Sequence, residues 1–179
     1  MSDNIVILSG SPRKNGNTDR LAAAFREGAE SAGKNVALFR VADMKIGGCK
    51  GCNHCFQEKG ACVQKDDMLL VLDALKKADA LVLASPVYYF SVSAQIKLAI
   101  DRTYALISDK PPIERTALLL TCGDNSTSAA DAAVAMYNSI RSFSKWDDAG
   151  TIIAAGLHAP DGIEGRDELE KAKALGREI

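Results

Sequence analysis

Five continuously apolar runs recur along the chain: NIVILS (4–9), NVALFRVAD (35–43), ALVLAS (80–85), RTALLLT (115–121) and GTIIAAG (150–156). A strand with one face in water alternates apolar and polar residues. A run that is apolar at nearly every position has both faces covered, which is the habit of parallel strands packed between helices. The intervening segments carry helical spacing. In TDRLAAAFREGAESAG (18–33), Leu21, Ala24, Phe25 and Ala29 share one face and Gly33 suits the stop. Met68, Val71, Leu72 and Leu75 recur behind a cap at Asp66 or Asp67. Residues 92–108 place Ile96, Ile100, Tyr104 and Ile107 in register, an Ala-rich helix follows over 128–143, and DELEKAKALGREI (167–179) closes the chain. The pattern predicts a single domain over residues 1–179. It is a three-layer α/β/α sandwich on a five-stranded parallel sheet of order 2-1-3-4-5, with a cysteine-rich loop at 47–65.

At 179 residues, the chain is long enough to bury a core without covalent staples. A net charge of -1 with no long basic run gives no footprint for nucleic acid. No segment approaches membrane-spanning length, and MSDNIVILSG lacks the basic start and long apolar run of a secretory signal. These features predict a cytoplasmic protein with neither a nucleic-acid nor a membrane partner. In that compartment thiols stay reduced, so clustered cysteines point to metal or redox work before structural disulfides.

Open parallel sheets bind ligands beyond the carboxyl ends of their strands. The loop after strand 1, SGSPRKNGNT (9–18), is crowded with hydroxyls, amides and glycines and runs straight into a helix N-terminus. Ser9, Ser11, Asn17 and Thr18 can donate to a phosphate monoester, Arg13 can add charge, and the helix dipole assists. A polar surface loop with a helix cap has the same composition. Neither the Gly-Lys-Ser/Thr of a P-loop nor G-x-G-x-x-G is present. The loop after strand 3, SPVYYFSVSAQ (85–95), sets three aromatics behind a proline at the ligand end of the sheet. They suit a planar heterocycle, although isolated aromatics often only cap a core. In TCGDNST (121–127), Thr121 and Gly123 allow a ring to approach the backbone, while Cys122 reads as a packed residue. A receiver domain would need acidic side chains where Ser9, Ser85 and Pro86 stand, and no G-x-S-x-G elbow marks a hydrolase.

The strand–GSPRKNGNT–helix unit together with SPVYYFSVSAQIKLAIDRTY resembles the flavodoxin-like FMN-binding oxidoreductases, the NADPH-dependent FMN reductases and quinone reductases, over residues 4 to about 120. The resemblance implies FMN, with Ser9, Ser11, Arg13, Asn17 and Thr18 at its phosphate. It implies Pro86, Val87, Tyr88, Tyr89, Phe90 and Ser91 at the ring. It also implies a homodimer or homotetramer. No protein nucleophile is needed, which suits a chain with only His54 and His158, the latter read as structural.

Four of the five cysteines lie in GGCKGCNHCFQEKGAC, spaced Cys49-x2-Cys52-x2-Cys55-x6-Cys62. Two successive x2 steps let one tight loop present three thiolates, and the longer arm returns a fourth, as ferredoxin-type [4Fe–4S] ligation does. Lys50, Lys59 and Lys65 would offset cluster charge. Zinc, a C-x-x-C redox disulfide and free thiols remain open on spacing alone. The motif, followed by KDDM, resembles that of the iron–sulfur flavoproteins, which hold a [4Fe–4S] cluster beside FMN. That resemblance implies electrons passing between FMN, the cluster and a redox partner. NAD(P)H or a reduced redox protein would be the donor and a small molecule or protein the acceptor. A cluster-free NAD(P)H-dependent FMN or quinone reductase and a non-catalytic flavin-binding sensor are the alternatives. The loop carries few hydrophobic residues, so it is expected to meet a neighbouring subunit rather than pack internally.

Overall fold

The computed structural model describes residues 3–179. Five parallel strands, β1 (Asn4–Ser9), β2 (Asn35–Arg40), β3 (Ala80–Tyr88), β5 (Arg115–Thr121) and β6 (Asp147–Ala154), form the sheet. A two-residue strand, β4 (Ser91–Val92), pairs antiparallel with β3. The order β2-β1-β3-β5-β6 is the expected one once β4 is counted. Helices α1 (Asn17–Ser31), α2 (His54–Gln57), α3 (Met68–Leu75), α4 (Ala94–Arg102), α5 (Asp131–Ser144) and α6 (Asp167–Glu178) complete the chain.

Strand periodicity divides the core in two. Ile5 and Ile7 of β1, with Val82 of β3 and Leu119 of β5, pack under α1 and α6. Their neighbours Val6, Leu8, Leu81, Leu83, Leu118 and Leu120 face α3, α4 and α5. Both faces of the central strands are therefore dry, as their unbroken apolar runs require. On the first face α1 and α6 touch backbone to backbone. A Cβ on Gly28 would lie 2.0 Å from the Lys173 carbonyl oxygen, and one on Gly176 would lie 2.1 Å from that of Phe25. Gly33 ends α1 in the left-handed conformation, φ +79°, as its position predicts.

Several boundaries differ from expectation. β2 ends at Arg40, and Val41–Asp43 wind into a 3₁₀ turn instead of extending the strand. α5 begins at Asp131 behind a 3₁₀ turn, Thr127–Ala130, rather than at Ser128. β3 does not stop at Pro86 but runs on to Tyr88. β1 ends opposite Ala84, so Pro86 has only β5 beside it and its missing N–H costs no bond to β1. The expected helix over 92–108 is α4 followed by a 3₁₀ segment, Thr103–Ile107. The tighter winding turns Tyr104 and Ile107 out of the core that Ile96 and Ile100 occupy. β6 begins at Asp147, three residues before the expected Gly150.

Candidate functional site

A cleft opens at the carboxyl ends of β1, β3 and β5. Its walls are Ser11, Arg13, Gly16, Asn17 and Thr18 from the first loop and Pro86, Val87 and Tyr88 from the end of β3. Thr121, Cys122 and Gly123 follow β5, and Leu157 and Pro160 follow β6. Among the described residues, the backbone N–H groups of Asn17 and Thr18 meet no protein acceptor, so the start of α1 presents free donors to the cleft.

The first loop is held in shape before any ligand arrives. The Ser11 hydroxyl accepts from the Arg13 N–H at 3.3 Å, and the Ser93 hydroxyl, capping α4, donates to the Gly10 carbonyl at 2.7 Å. Gly10 must lack a side chain, because a Cβ there would sit 2.5 Å from that of Ile96. Thr18 and Thr121 share a buried 2.6 Å hydroxyl hydrogen bond that ties the first loop to β5. Asp19 accepts from Ser9 at 3.2 Å and from the Asn15 N–H at 2.9 Å, and it pairs with Arg40.

Not every expected residue faces the cleft. Ser9 is buried and spends its hydroxyl on Asp19. Asn17 lines the cleft, but its side-chain amide donates to the Ala159 carbonyl at 2.7 Å and accepts from Ile163 N–H at 3.1 Å. Its backbone N–H is what remains for a ligand. Tyr88 stands at the wall, whereas Tyr89 and Phe90, 97% and 62% exposed, do not line the cleft. These two form the turn between β3 and β4 with φ of 49° and 67°. A two-residue hairpin of this hand needs positive φ at both central positions, usually supplied by Asn or Gly. Ser91 pairs with Tyr88 in the hairpin and does not reach the cleft.

In the third loop a Cβ on Gly123 would meet no protein atom closer than 3.9 Å, so a side chain there would project into open cleft. Cys122 is buried; burial, reinforced by Asp124, pushes its thiol up, keeping it protonated at neutral pH. His158 is exposed beside this loop rather than packed. Gly16, Arg40, Leu157 and Pro160 escaped the sequence reading. Arg40, a lone charge at the carboxyl end of β2, was the one local signal.

The cysteine segment leaves the fold after Asp43 and returns at α3. It winds through left-handed residues Gly51, Asn53, Lys59 and Gly60 and includes α2. All four cysteines line one small cavity, whose floor is Arg102, Tyr104 and Ala105. Cys49 and Cys52 are exposed. Contrary to expectation, Cys55 and Cys62 are half-buried against the protein's own core. Ser108 donates to the Cys55 carbonyl at 2.7 Å, and Phe56 rests on Tyr104 with ring centroids 5.2 Å apart. These contacts exist because the 3₁₀ segment turns outward. Burial pushes the Cys55 thiol up, and the thiols of Cys62, Cys49 and Cys52 push the same way. Among the described residues, no three Cys, His, Asp or Glu side chains are gathered as a single-ion site.

Both ends of the segment meet at one clamp. The Arg102 guanidinium, its side chain 1% exposed, donates Nη1 to Asp66 Oδ2 at 2.7 Å and Nη2 to Oδ1 at 2.9 Å. Nη1 also reaches the Gly47 carbonyl at 2.9 Å, and Asp66 Oδ2 accepts from Gly47 N–H at 3.0 Å. Arg102 holds the Asp66 carboxyl below the usual carboxylate range. Lys50, Lys59 and Lys65 are exposed.

A parallel α/β sandwich with a polar loop at a helix N-terminus and a tyrosine at the wall one strand away is a flavodoxin-like mononucleotide-binding fold. Residues 4–145 match the NADPH-dependent FMN reductase family. The chain belongs to that family of flavin-dependent oxidoreductases, on the side of its iron–sulfur flavoprotein relatives. An iron–sulfur flavoprotein of Archaeoglobus fulgidus is 35% identical over 97% of this chain and 77% of its own length. One of Methanocaldococcus jannaschii is 38% identical over 57% of this chain. That stretch covers 52% of the relative, so the match spans about half of it. Among solved structures, the NAD(P)H:quinone oxidoreductase of Methanothermobacter marburgensis superposes with a TM-score of 0.76 at 19% identity. That match covers 99% of this chain and 96% of the other, a likeness of fold.

Proposed function

We propose that the protein passes electrons between FMN in the cleft, a [4Fe–4S] cluster held by Cys49, Cys52, Cys55 and Cys62, and a redox partner. The observation that carries the cluster is one cavity lined by all four cysteines, walled by a buried guanidinium whose Nε has no partner among the described residues. Each thiolate of such a cluster binds a different iron, so sulfurs ranged around a hollow suit it better than they suit one ion. A buried N–H facing sulfur is what a cluster's surroundings supply. The relatives named as iron–sulfur flavoproteins support the same reading.

FMN, when bound, converts between hydride and single-electron transfer, and the cluster carries single electrons. The chain's own residues prepare the site. Arg13 and the free N–H groups of Asn17 and Thr18 hold the phosphate charge. Ser11 orients Arg13 through its backbone, and Thr18 and Thr121 lock the cradle to the sheet. Pro86, Val87 and Tyr88 exclude water from one side of the ring, and Gly123 leaves room on another. Cys122 stays protonated and takes no part. NAD(P)H or a reduced redox protein is the proposed donor, a small molecule or protein the acceptor, a homodimer or homotetramer the assembly, and the cytoplasm the location.

The family's NADPH-dependent members favour a second reading, hydride transfer from NAD(P)H to FMN and on to a quinone or flavin without a cluster. Iron, acid-labile sulfide and FMN per chain, measured on protein purified without oxygen, separate the two. About four irons and four sulfides beside one FMN are expected for a cubane. FMN without iron, with steady NAD(P)H oxidation, would replace the first reading by the second.

A further inference from the structure

Arg102 does more than close the neck of the cysteine segment. Its two Nη groups are committed to Asp66 and Gly47. Its Nε is enclosed and has no partner among the described residues. In a core this well satisfied, an orphaned N–H on a charged group is costly and calls for an acceptor. Arg102 lines the cavity together with the four cysteines, and Cys62 is the one whose side chain reaches the guanidinium and favours its charge, while Nε itself meets no acceptor in hydrogen-bond geometry. A neutral thiol is a poor acceptor, and a ligand thiolate is a good one. The three lysines of the segment are exposed, so the cation fixed and dehydrated beside the sulfurs is a residue from α4.

We propose that Arg102 Nε–H donates to the Cys62 thiolate when it ligates the cluster, stabilising the more negative reduced state and setting the cluster's potential. This rests on the cluster reading above. The bond and the charge both favour added negative charge on the sulfur, so removing the donor lowers the potential. Asp66 separates this role from the clamp, because Asp66→Asn loosens the same neck while leaving Nε in place.

The test compares wild type, Arg102→Lys and Asp66→Asn, purified without oxygen, by iron and sulfide content and by potentiometric titration followed by EPR. Arg102→Lys keeps a charge but loses Nε. Its reduced state is expected to be favoured about tenfold less, which for one electron is about 59 mV more negative, with Asp66→Asn no more negative than wild type. Pulsed EPR on reduced wild-type protein carrying ¹⁵N-arginine should show coupling to one guanidinium nitrogen. An iron-loaded Arg102→Lys with the wild-type potential would overturn the proposal. If that variant does not fold or load, the ¹⁵N coupling in wild type decides alone, its presence supporting the bond and its absence refuting it. Wild-type protein that takes up no iron and sulfide would sink the cluster reading and this proposal with it.

Discussion

Asp66→Ala measures how much the clamp contributes to the fold. The substitution removes two charge-assisted hydrogen bonds from Arg102, at 2.7 and 2.9 Å, and two backbone acceptor contacts, to Gly47 at 3.0 Å and Met68 at 3.3 Å. It leaves a guanidinium that is 1% exposed without a counter-charge. Breaking a buried pair by deleting one partner costs about 3–5 kcal/mol, because the stranded charge stays desolvated. At about 2–4 °C per kcal/mol for a chain of this size, the melting temperature should fall by roughly 6–20 °C. The effect has a pH signature. The Asp66 carboxyl is held low in the folded state, so its contribution is full above the ordinary carboxylate range and is lost as pH falls through the lowered value. The gap between variant and wild type should therefore narrow only in strong acid. Removing both charges, as Asp66→Ala with Arg102→Met, should recover much of the loss. Thermal unfolding of iron-free protein followed by circular dichroism provides the readout. A single-variant loss below about 1 kcal/mol, or a double variant no better than the single, would refute the reasoning.

The other elements are as open to measurement. In Gly176→Ala, helix propensity favours alanine by about 1 kcal/mol, but the new Cβ meets a backbone oxygen at 2.1 Å. Overpacking costs about 1–3 kcal/mol or more where backbone must move, so the clash should win and urea unfolding should show net destabilisation; a stabilised variant would show that α6 can shift freely. Arg13→Ala should weaken FMN about tenfold, the worth of one charge-assisted contact near 1.5 kcal/mol. Riboflavin, which lacks the phosphate, should bind both proteins alike, and an equal loss for riboflavin in a fluorescence titration would move Arg13 away from the phosphate. Thr121→Val strands the buried Thr18 hydroxyl and should cost about 1–3 kcal/mol in denaturant titrations. Cys122→Ala should keep flavin binding and turnover at neutral pH, since the native thiol is already protonated there.

The apolar runs and the helical spacings between them determined the layer architecture, because periodicity is a local property and each strand's dryness is written at every position. Cysteine spacing was equally legible: four thiols within 14 residues must share a neighbourhood whatever surrounds them. The loops that bear ligand residues were also visible, but which side chains face the cleft was not. Ser9 lies on the strand and turns inward to Asp19, and the Asn17 amide is taken by a loop 142 residues away in sequence. Tyr89 and Phe90 face out because strand pairing continues past Pro86 and forces a two-residue turn beneath them. Arg102 reads in sequence as one more charge near a helix end, and only packing sets it under cysteines 40 to 53 positions earlier. Local patterns report what a residue's immediate neighbours need; orientation, orphaned donors and backbone-tight helix crossings arise from contacts between segments far apart in the chain, and those form only when the whole core closes.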